Sequence, residues 1–229
     1  MLIIGHRGAP SLKYENTLDS FQVAFDYHLD GIELDVQLSK DHQLVVFHDF
    51  DTFLFNNEHN LIKNINFNEL QKRTPGIQIA ILEDILPIVP PNKELHIEIK
   101  SNDIDNTVIV KKIITLIIQH KLINQTIISS FNPFVLSQVK TSNQNIKIGL
   151  LWTKSPNSPW FISSYSYYKI KPYSFHASIQ YINQKKADWA KANNMKLYCY
   201  TVNNKEELSK AQALQADGIF TDFPNILNR

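Results

Sequence analysis

The chain has 229 residues, 43% of them hydrophobic, and a formal net charge of +1 from 23 basic and 22 acidic side chains. It can bury a large core, and its near-neutral balance excludes a strong global field for nucleic acid or an anionic membrane. The single cysteine, Cys199, excludes an internal disulfide and suits a reducing compartment.

At the N-terminus "MLII" meets Gly5 and His6 at once, too short for a signal-peptide core and without a basic leader. The longest apolar stretch, "VIVKKIITLII", carries two lysines and reads as a buried helix. A soluble, cytoplasmic protein is expected, with no stable membrane insertion and no nucleic-acid partner; its oligomeric state is not readable.

Eight runs read as strands: "LIIGHR", "GIELDVQLS", "LHIEIK", "TIISSF", "IKIGLLW", "YSFHAS", "KLYCYTV" and "GIFTDF". Helical patterns fall between them. Leu18, Phe21, Phe25 and Leu29 keep a helical period behind Asn16 or Thr17 as N-cap, and later crossovers fill 108–118, 134–139, 184–192 and 205–214. Alternation of eight strands with helices and no duplicated half predicts an α/β fold, a closed TIM (β/α)8 barrel, as one domain over residues 1–229. Residues 50–80 are expected to form an inserted substrate-loop region. The stretch 153–173 is a second candidate loop; its aromatics Trp160, Phe161, Tyr165, Tyr167 and Tyr168, with Trp152 just before it, suit an acyl chain, a head group or ordinary loop packing.

The second strand is unusual. Ile32, Leu34 and Val36 share one face, and Glu33, Asp35 and Gln37 share the other, where a barrel interior is expected. After the turn "KDHQ" comes "LVVFHD", which reads as an extra antiparallel hairpin arm. A two-residue loop at Asp41-His42 would set Asp35 opposite His48, about 5 Å away on the same face. The third strand of the eight, "LHIEIK", alternates in the same way and points His96, Glu98 and Lys100 inward; His96, below Glu98, fits a buried hydrogen-bonded layer. His176 faces either way.

Glu33, Asp35 and Glu98 together need a counter-charge, and oxygen-only ligation suits one hard divalent cation, Mg²⁺ or Ca²⁺. Three carboxylates and a divalent cation leave −1, and Arg7 and Lys100 make it +1. One phosphodiester neutralises the site. His6 and His48 supply two imidazoles able to take a proton from a nucleophile and give one to a leaving alkoxide.

With "HRG", "ENT", "GIELDVQLSKD", "VVFHD", "IEIK", "SF", "YTVN" and "DGIFTDFP" in order, the chain resembles the glycerophosphodiester phosphodiesterases, a family built on a TIM barrel. The resemblance implies His6 and His48 as the acid/base pair and Glu33, Asp35 and Glu98 as metal ligands. It implies substrate contacts at Arg7 and Lys100, with Glu15 of "ENT" beside the site and Tyr200 standing where Trp is usual. His42 replaces the usual turn glycine. The implied reaction is metal-dependent hydrolysis of a small-molecule glycerophosphodiester to sn-glycerol 3-phosphate and an alcohol. Two alternatives stay open: a lysophospholipase D- or C-like phosphodiesterase acting on lipids, and a catalytically silent metal-holding barrel.

Overall fold

Eight parallel strands close into a ring in the computed structural model, which describes residues 1–154 and 170–226. The ring runs β1 (Leu2–Gly5), β2 (Gly31–Leu38), β4 (Glu94–Ile99), β5 (Thr126–Ser130), β6 (Lys147–Trp152), β7 (Ser174–Ser178), β8 (Lys196–Tyr200) and β9 (Gly218–Thr221). It closes because β1 pairs with β2 on one side, Gly5 beside Ile32, and with β9 on the other, Gly5 beside Thr221. Each of the eight strand runs read from the sequence coincides with one of these strands, β4 starting one residue earlier, at Glu94. The short β3 (Leu44–Val46) pairs antiparallel with β2 outside the ring.

Helices cover the outside. α1 (Leu18–Asp26) is capped by Thr17, whose side chain accepts from the Ser20 amide, and it buries Phe21, Ala24 and Phe25 against the sheet. Of the two expected caps, Asn16 is thereby free for another task. α5 (Thr107–Gln119) buries Ile109, Val110, Ile113, Ile114 and Ile117, an apolar stripe at helical spacing. α6 (Pro133–Ser142) starts with proline at its first position, behind Asn132 as cap. α7 (Gln184–Ala192) and α8 (Lys205–Ala213) are capped by Asn183 and Asn204. Among the described residues no helix is long and apolar enough to cross a membrane.

The hairpin arm corrects one expectation. Leu38 pairs with Leu44 and Val36 with Val46, and the Ser39 amide donates to the Gln43 carbonyl. The loop is therefore three residues long, Lys40 to His42, not two. The His42 amide donates back to the Ser39 carbonyl, and His42 itself sits at φ +60°, the left-handed position that closes such a loop. This shifts the register by one residue, so Phe47, not His48, donates its amide to the Asp35 carbonyl.

Residues 50–80 are also more than a loop. They contain α2 (Phe53–Asn56) and α3 (Phe67–Arg73), and a small separate core forms from Val45, Phe47, Ile62, Ile65, Leu70 and Ile79. This satellite core anchors the arm from outside. α4 (Leu82–Ile85) then leads back toward β4.

Beneath the mouth, the barrel interior is polar and aromatic. His96 Nε2 and the Tyr198 hydroxyl both meet Glu94 Oε2 at 2.9 Å, and His176 Nε2 lies 2.9 Å from Ser174 Oγ. Gly149 makes room for this layer, since a Cβ there would come within 2.7 Å of the His176 ring. The expectation that His96 is a layer residue matches its burial and its Glu94 partner.

Candidate active site

The chemistry-bearing side chains collect where the parallel strands end. His6 and Arg7 follow β1, Glu33 and Asp35 lie on β2, Glu98 is on β4 with Lys100 just beyond it, Tyr200 ends β8 and Asp222 follows β9. That end of a barrel is where loops converge on a common mouth. A cavity of about 190 Å³ there is lined by His6, Arg7, Glu33, His48, Glu98, Lys100 and Tyr200, among others.

The strand register sets the carboxylates side by side. Asp35 pairs with Glu98 across β2 and β4, and Glu33 pairs with His96 one step below. One oxygen from each of Glu33, Asp35 and Glu98 lies within 4.8 Å of the other two. Full charges at that spacing repel by at least about 3 kcal/mol per pair at an effective dielectric of about 20. Burial, with the Asp35 and Glu98 charges added, pushes the Glu33 carboxyl well above the usual carboxylate range. Glu98 is raised as well, chiefly by burial. For Asp35 burial is the largest single influence, yet Lys100, Arg7 and His48 together outweigh it and hold the carboxyl below its usual range. An all-oxygen set this close, with two protonation-prone members, fits a hard divalent cation.

Two basic side chains bracket the cluster. Lys100 Nζ lies 3.1 Å from Glu98 Oε1 and 3.8 Å from Asp35 Oδ1, beneath the Phe50 ring. Arg7 reaches Glu15 Oε1 at 2.8 Å through Nη1 and Asp35 Oδ2 at 3.3 Å through Nε. The buried Nε makes no well-aligned hydrogen bond and is held against Asp35 by charge alone.

Arg7 owes its aim to a strained turn. Its φ is +54° and that of Gly8 is +92°. This turn points the Arg7 amide at Glu33 Oε2, 3.0 Å away. Ser20 of α1 staples the turn, donating to the Arg7 carbonyl at 3.0 Å and accepting from the Ala9 amide at 2.8 Å. A side chain on Gly8 would strike Ser20.

Both histidines carry a carboxylate on Nδ1. His6 Nδ1 is 2.7 Å from Asp222 Oδ1, and His48 Nδ1 is 2.7 Å from Asp49 Oδ1. Each pairing fixes the ring and leaves Nε2 available at the mouth. Burial raises Asp222, but its bonds to His6 and Asn203 hold it below the usual range. His48 arrives from a turn, not from the ladder. β3 ends at Val46, and the amide of Gln37 clamps the chain beyond it, donating to the carbonyls of Phe47 at 2.8 Å and Asp49 at 2.7 Å, with that of His48 at 3.4 Å.

Several partners were not picked out from the sequence as site residues. Asn16, at φ +57°, donates to Asp35 Oδ2 at 3.0 Å and accepts from the Asp35 amide at 3.3 Å. Asp49, Asn203 and Asp222 lie inside the "VVFHD", "YTVN" and "DGIFTDFP" motifs, and a polar residue just past a barrel strand is itself a signal. Of the expected contacts, Glu15 meets Arg7 and not the cavity, and the Tyr200 hydroxyl donates to the Trp152 carbonyl at 2.9 Å, so its ring forms a fixed wall. His176 also borders the cavity while remaining buried. Trp160, Phe161, Tyr165, Tyr167 and Tyr168 lie outside the described residues.

A parallel eight-stranded barrel with three clustered acids and two carboxylate-backed histidines at its mouth has the makings of a hydrolase site, with an acid cluster that could hold a metal ion. A family profile described as the Glycerophosphoryl diester phosphodiesterase family matches residues 6–226, and the chain belongs to that family of phosphoric diester hydrolases. A glycerophosphodiester phosphodiesterase of Caldanaerobacter subterraneus subsp. tengcongensis is 34% identical, with 99% of this chain and 96% of that protein covered. The crystal structure of a glycerophosphodiester phosphodiesterase from Thermotoga maritima superposes with a TM-score of 0.79 at 27% identity, covering 100% of this chain and 97% of the other. An Oleispira antarctica phosphodiesterase, solved in complex with the product sn-glycerol-3-phosphate, shares the fold at a TM-score of 0.84 and 23% identity, covering 100% and 95%.

Proposed function

We propose that this chain, acting as one cytoplasmic domain, hydrolyses glycerophosphodiesters to sn-glycerol 3-phosphate and an alcohol with one divalent cation, Mg²⁺ or Ca²⁺. The observation that carries the reading is the juxtaposition at one mouth of three acids within 4.8 Å of one another and two histidines backed by carboxylates. Glu33, Asp35 and Glu98 would hold the cation. When bound it supplies Lewis-acid charge to the phosphoryl oxygens.

Arg7 and Lys100, which both line the cavity, take the non-bridging oxygens, Arg7 through its guanidinium and Lys100 as a point charge. His6 and His48 divide the proton work, one taking a proton from the nucleophile at Nε2 and the other giving one to the leaving alkoxide. Asp222 and Asp49 hold the Nδ1 protons in place and stabilise each imidazolium as it forms. Tyr200 walls the cavity, and Glu15 holds Arg7 in its aim.

The test is a panel of glycerophosphodiesters with chelator and with titrated Mg²⁺ and Ca²⁺, following sn-glycerol 3-phosphate and, by ³¹P NMR, any cyclic phosphate. His6→Ala and His48→Ala should each lower kcat by about 10²- to 10⁴-fold with little change in cation affinity. Absence of cation-dependent turnover on every diester would leave a silent metal-holding barrel.

A second reading rests on a specific groove. Beside the cavity, about 350 Å³ opens between Phe50, Ile104, Phe131 and Phe134, with Glu98 and Lys100 at its inner end. Phe50 and Ile104 are exposed. An apolar wall running from the phosphoryl position suits a lipid substituent, hence a lysophospholipase D-like specificity. Lysophosphatidate as product from a lysophospholipid would select it.

A further inference from the structure

We infer that Gln37 is a positioning residue for the reaction, acting on His48 through the backbone of the turn that follows β3. This inference rests on the role proposed above for His48. Gln37 is buried at the rim end of β2, on the face that carries Glu33 and Asp35. Its amide nitrogen has two hydrogens and meets only acceptors: the carbonyls of Phe47 at 2.8 Å, Asp49 at 2.7 Å and, more distantly, His48 at 3.4 Å. Because all are carbonyls, the side-chain amide must present its NH₂ to the turn.

The ladder between β2 and β3 ends at Val36 and Val46, and the Phe47 amide makes one last bond to Asp35. Strand register would direct Phe47, not His48, toward the acids. The Phe47 side chain instead enters the satellite core with Val45 and Ile62. The chain must therefore bend between Phe47 and Asp49 for the imidazole to reach the mouth. Gln37 bonds the carbonyls on either side of that bend and so sets the angle at which His48 leaves it. Asp49 adds the second restraint, through His48 Nδ1 at 2.7 Å. Gln37 fixes the backbone and Asp49 fixes the ring.

The geometry assigns a distinct kinetic signature. Gln37→Met keeps length and bulk but removes both donors. A displacement of the order of 1 Å in a proton-transfer group costs up to about a hundredfold in rate. In Gln37→Met, kcat on a glycerophosphodiester should fall about 10- to 100-fold, while KM and cation affinity stay within about twofold. Gln37→Asn, which retracts the same amide by one methylene, gives the same direction and serves if the Met variant does not fold. In a His48→Ala background the substitution should change residual kcat by less than about twofold, since the group it positions is gone.

A Gln37→Met or Gln37→Asn enzyme with kcat unchanged, or an equal loss with and without His48, overturns the inference. The clamp is also readable without turnover, from amide hydrogen exchange in the full chain of Phe47, whose N–H donates to the Asp35 carbonyl, and Ile62, whose N–H donates to the Phe50 carbonyl. Faster exchange in the Gln37 variants upholds it even if the wild-type chain cleaves no diester, the result that would sink the proposed function alone. Unchanged exchange overturns the clamp.

Discussion

His6 and Asp222, 216 residues apart in the chain, meet at 2.7 Å between Nδ1 and Oδ1. The other carboxylate oxygen of Asp222 accepts from Asn203 Nδ2 at 2.6 Å, and the Asp222 amide donates to Asn203 Oδ1 at 2.9 Å. The three residues form an array with one permitted arrangement of donors. Asp222→Asn breaks it in a defined way. The new amide must offer its oxygen to Asn203, so its NH₂ faces His6 Nδ1 and drives the ring proton to Nε2. A loss of about 10²- to 10⁴-fold in kcat with KM nearly unchanged is expected, measured by steady-state kinetics.

The acid cluster predicts a trade between stability and cation binding. Glu33→Gln removes one of three mutually repelling carboxylates while keeping shape. With chelator present, thermal unfolding should move up by a few degrees, corresponding to about 1–2 kcal/mol. Added Mg²⁺ or Ca²⁺ should stabilise the wild-type chain but shift the variant much less, because one ligand is lost. Calorimetry with and without cation checks both halves. A variant no more stable than wild type in chelator would mean that Arg7 and Lys100 already neutralise the cluster.

The buried layer predicts acid sensitivity. Burial, with His96 beside it, pushes the His176 imidazole well below its ordinary value. The folded chain then holds His176 neutral, while the unfolded chain protonates it near pH 6.5. As pH falls below about 6.5 the unfolded state binds the extra proton, and stability drops by about 1.4 kcal/mol per pH unit for this group until the folded value is reached. The stability difference between wild type and His176→Gln should therefore fall with that slope between about pH 6.5 and pH 5. Denaturant unfolding across that range measures it, and a pH-independent difference would remove His176 as the cause.

The loop of the arm predicts a gain. His42 holds φ +60°, where a Cβ costs about 1 kcal/mol relative to glycine. Its carbonyl accepts from Lys112 Nζ at 2.8 Å, a bond that any residue keeps. Partly offset by unfolded-state entropy, His42→Gly should stabilise by about 0.5–1 kcal/mol and raise the melting temperature by a degree or more. The value of kcat should not change, since His42 does not line the cavity at the mouth.

The barrel was legible because strand alternation and helical period are written locally, and each of the eight strand runs overlaps a strand of the ring. The acids were legible for the same reason: a polar face on β2 and on β4 is visible without knowing their neighbours. The pairing of His48 was not. It depended on whether one loop had two residues or three, and that turns on the left-handed geometry of His42, which histidine adopts without advertising. The site roles of Asp222, Asn203 and Asn16 are not written locally, because they come from contacts between distant segments. The satellite core under residues 50–80 was hidden by helices too short to show a period.

His6 follows β1 and Asp222 follows β9, so their contact exists only where those two strands close the ring. Asp35 and Glu98 are set side by side by a different register, that of β2 against β4. The seam that completes the barrel therefore doubles as the hinge pin of one histidine: parting β1 from β9 would take the carboxylate away from His6 and leave the acid pair in register.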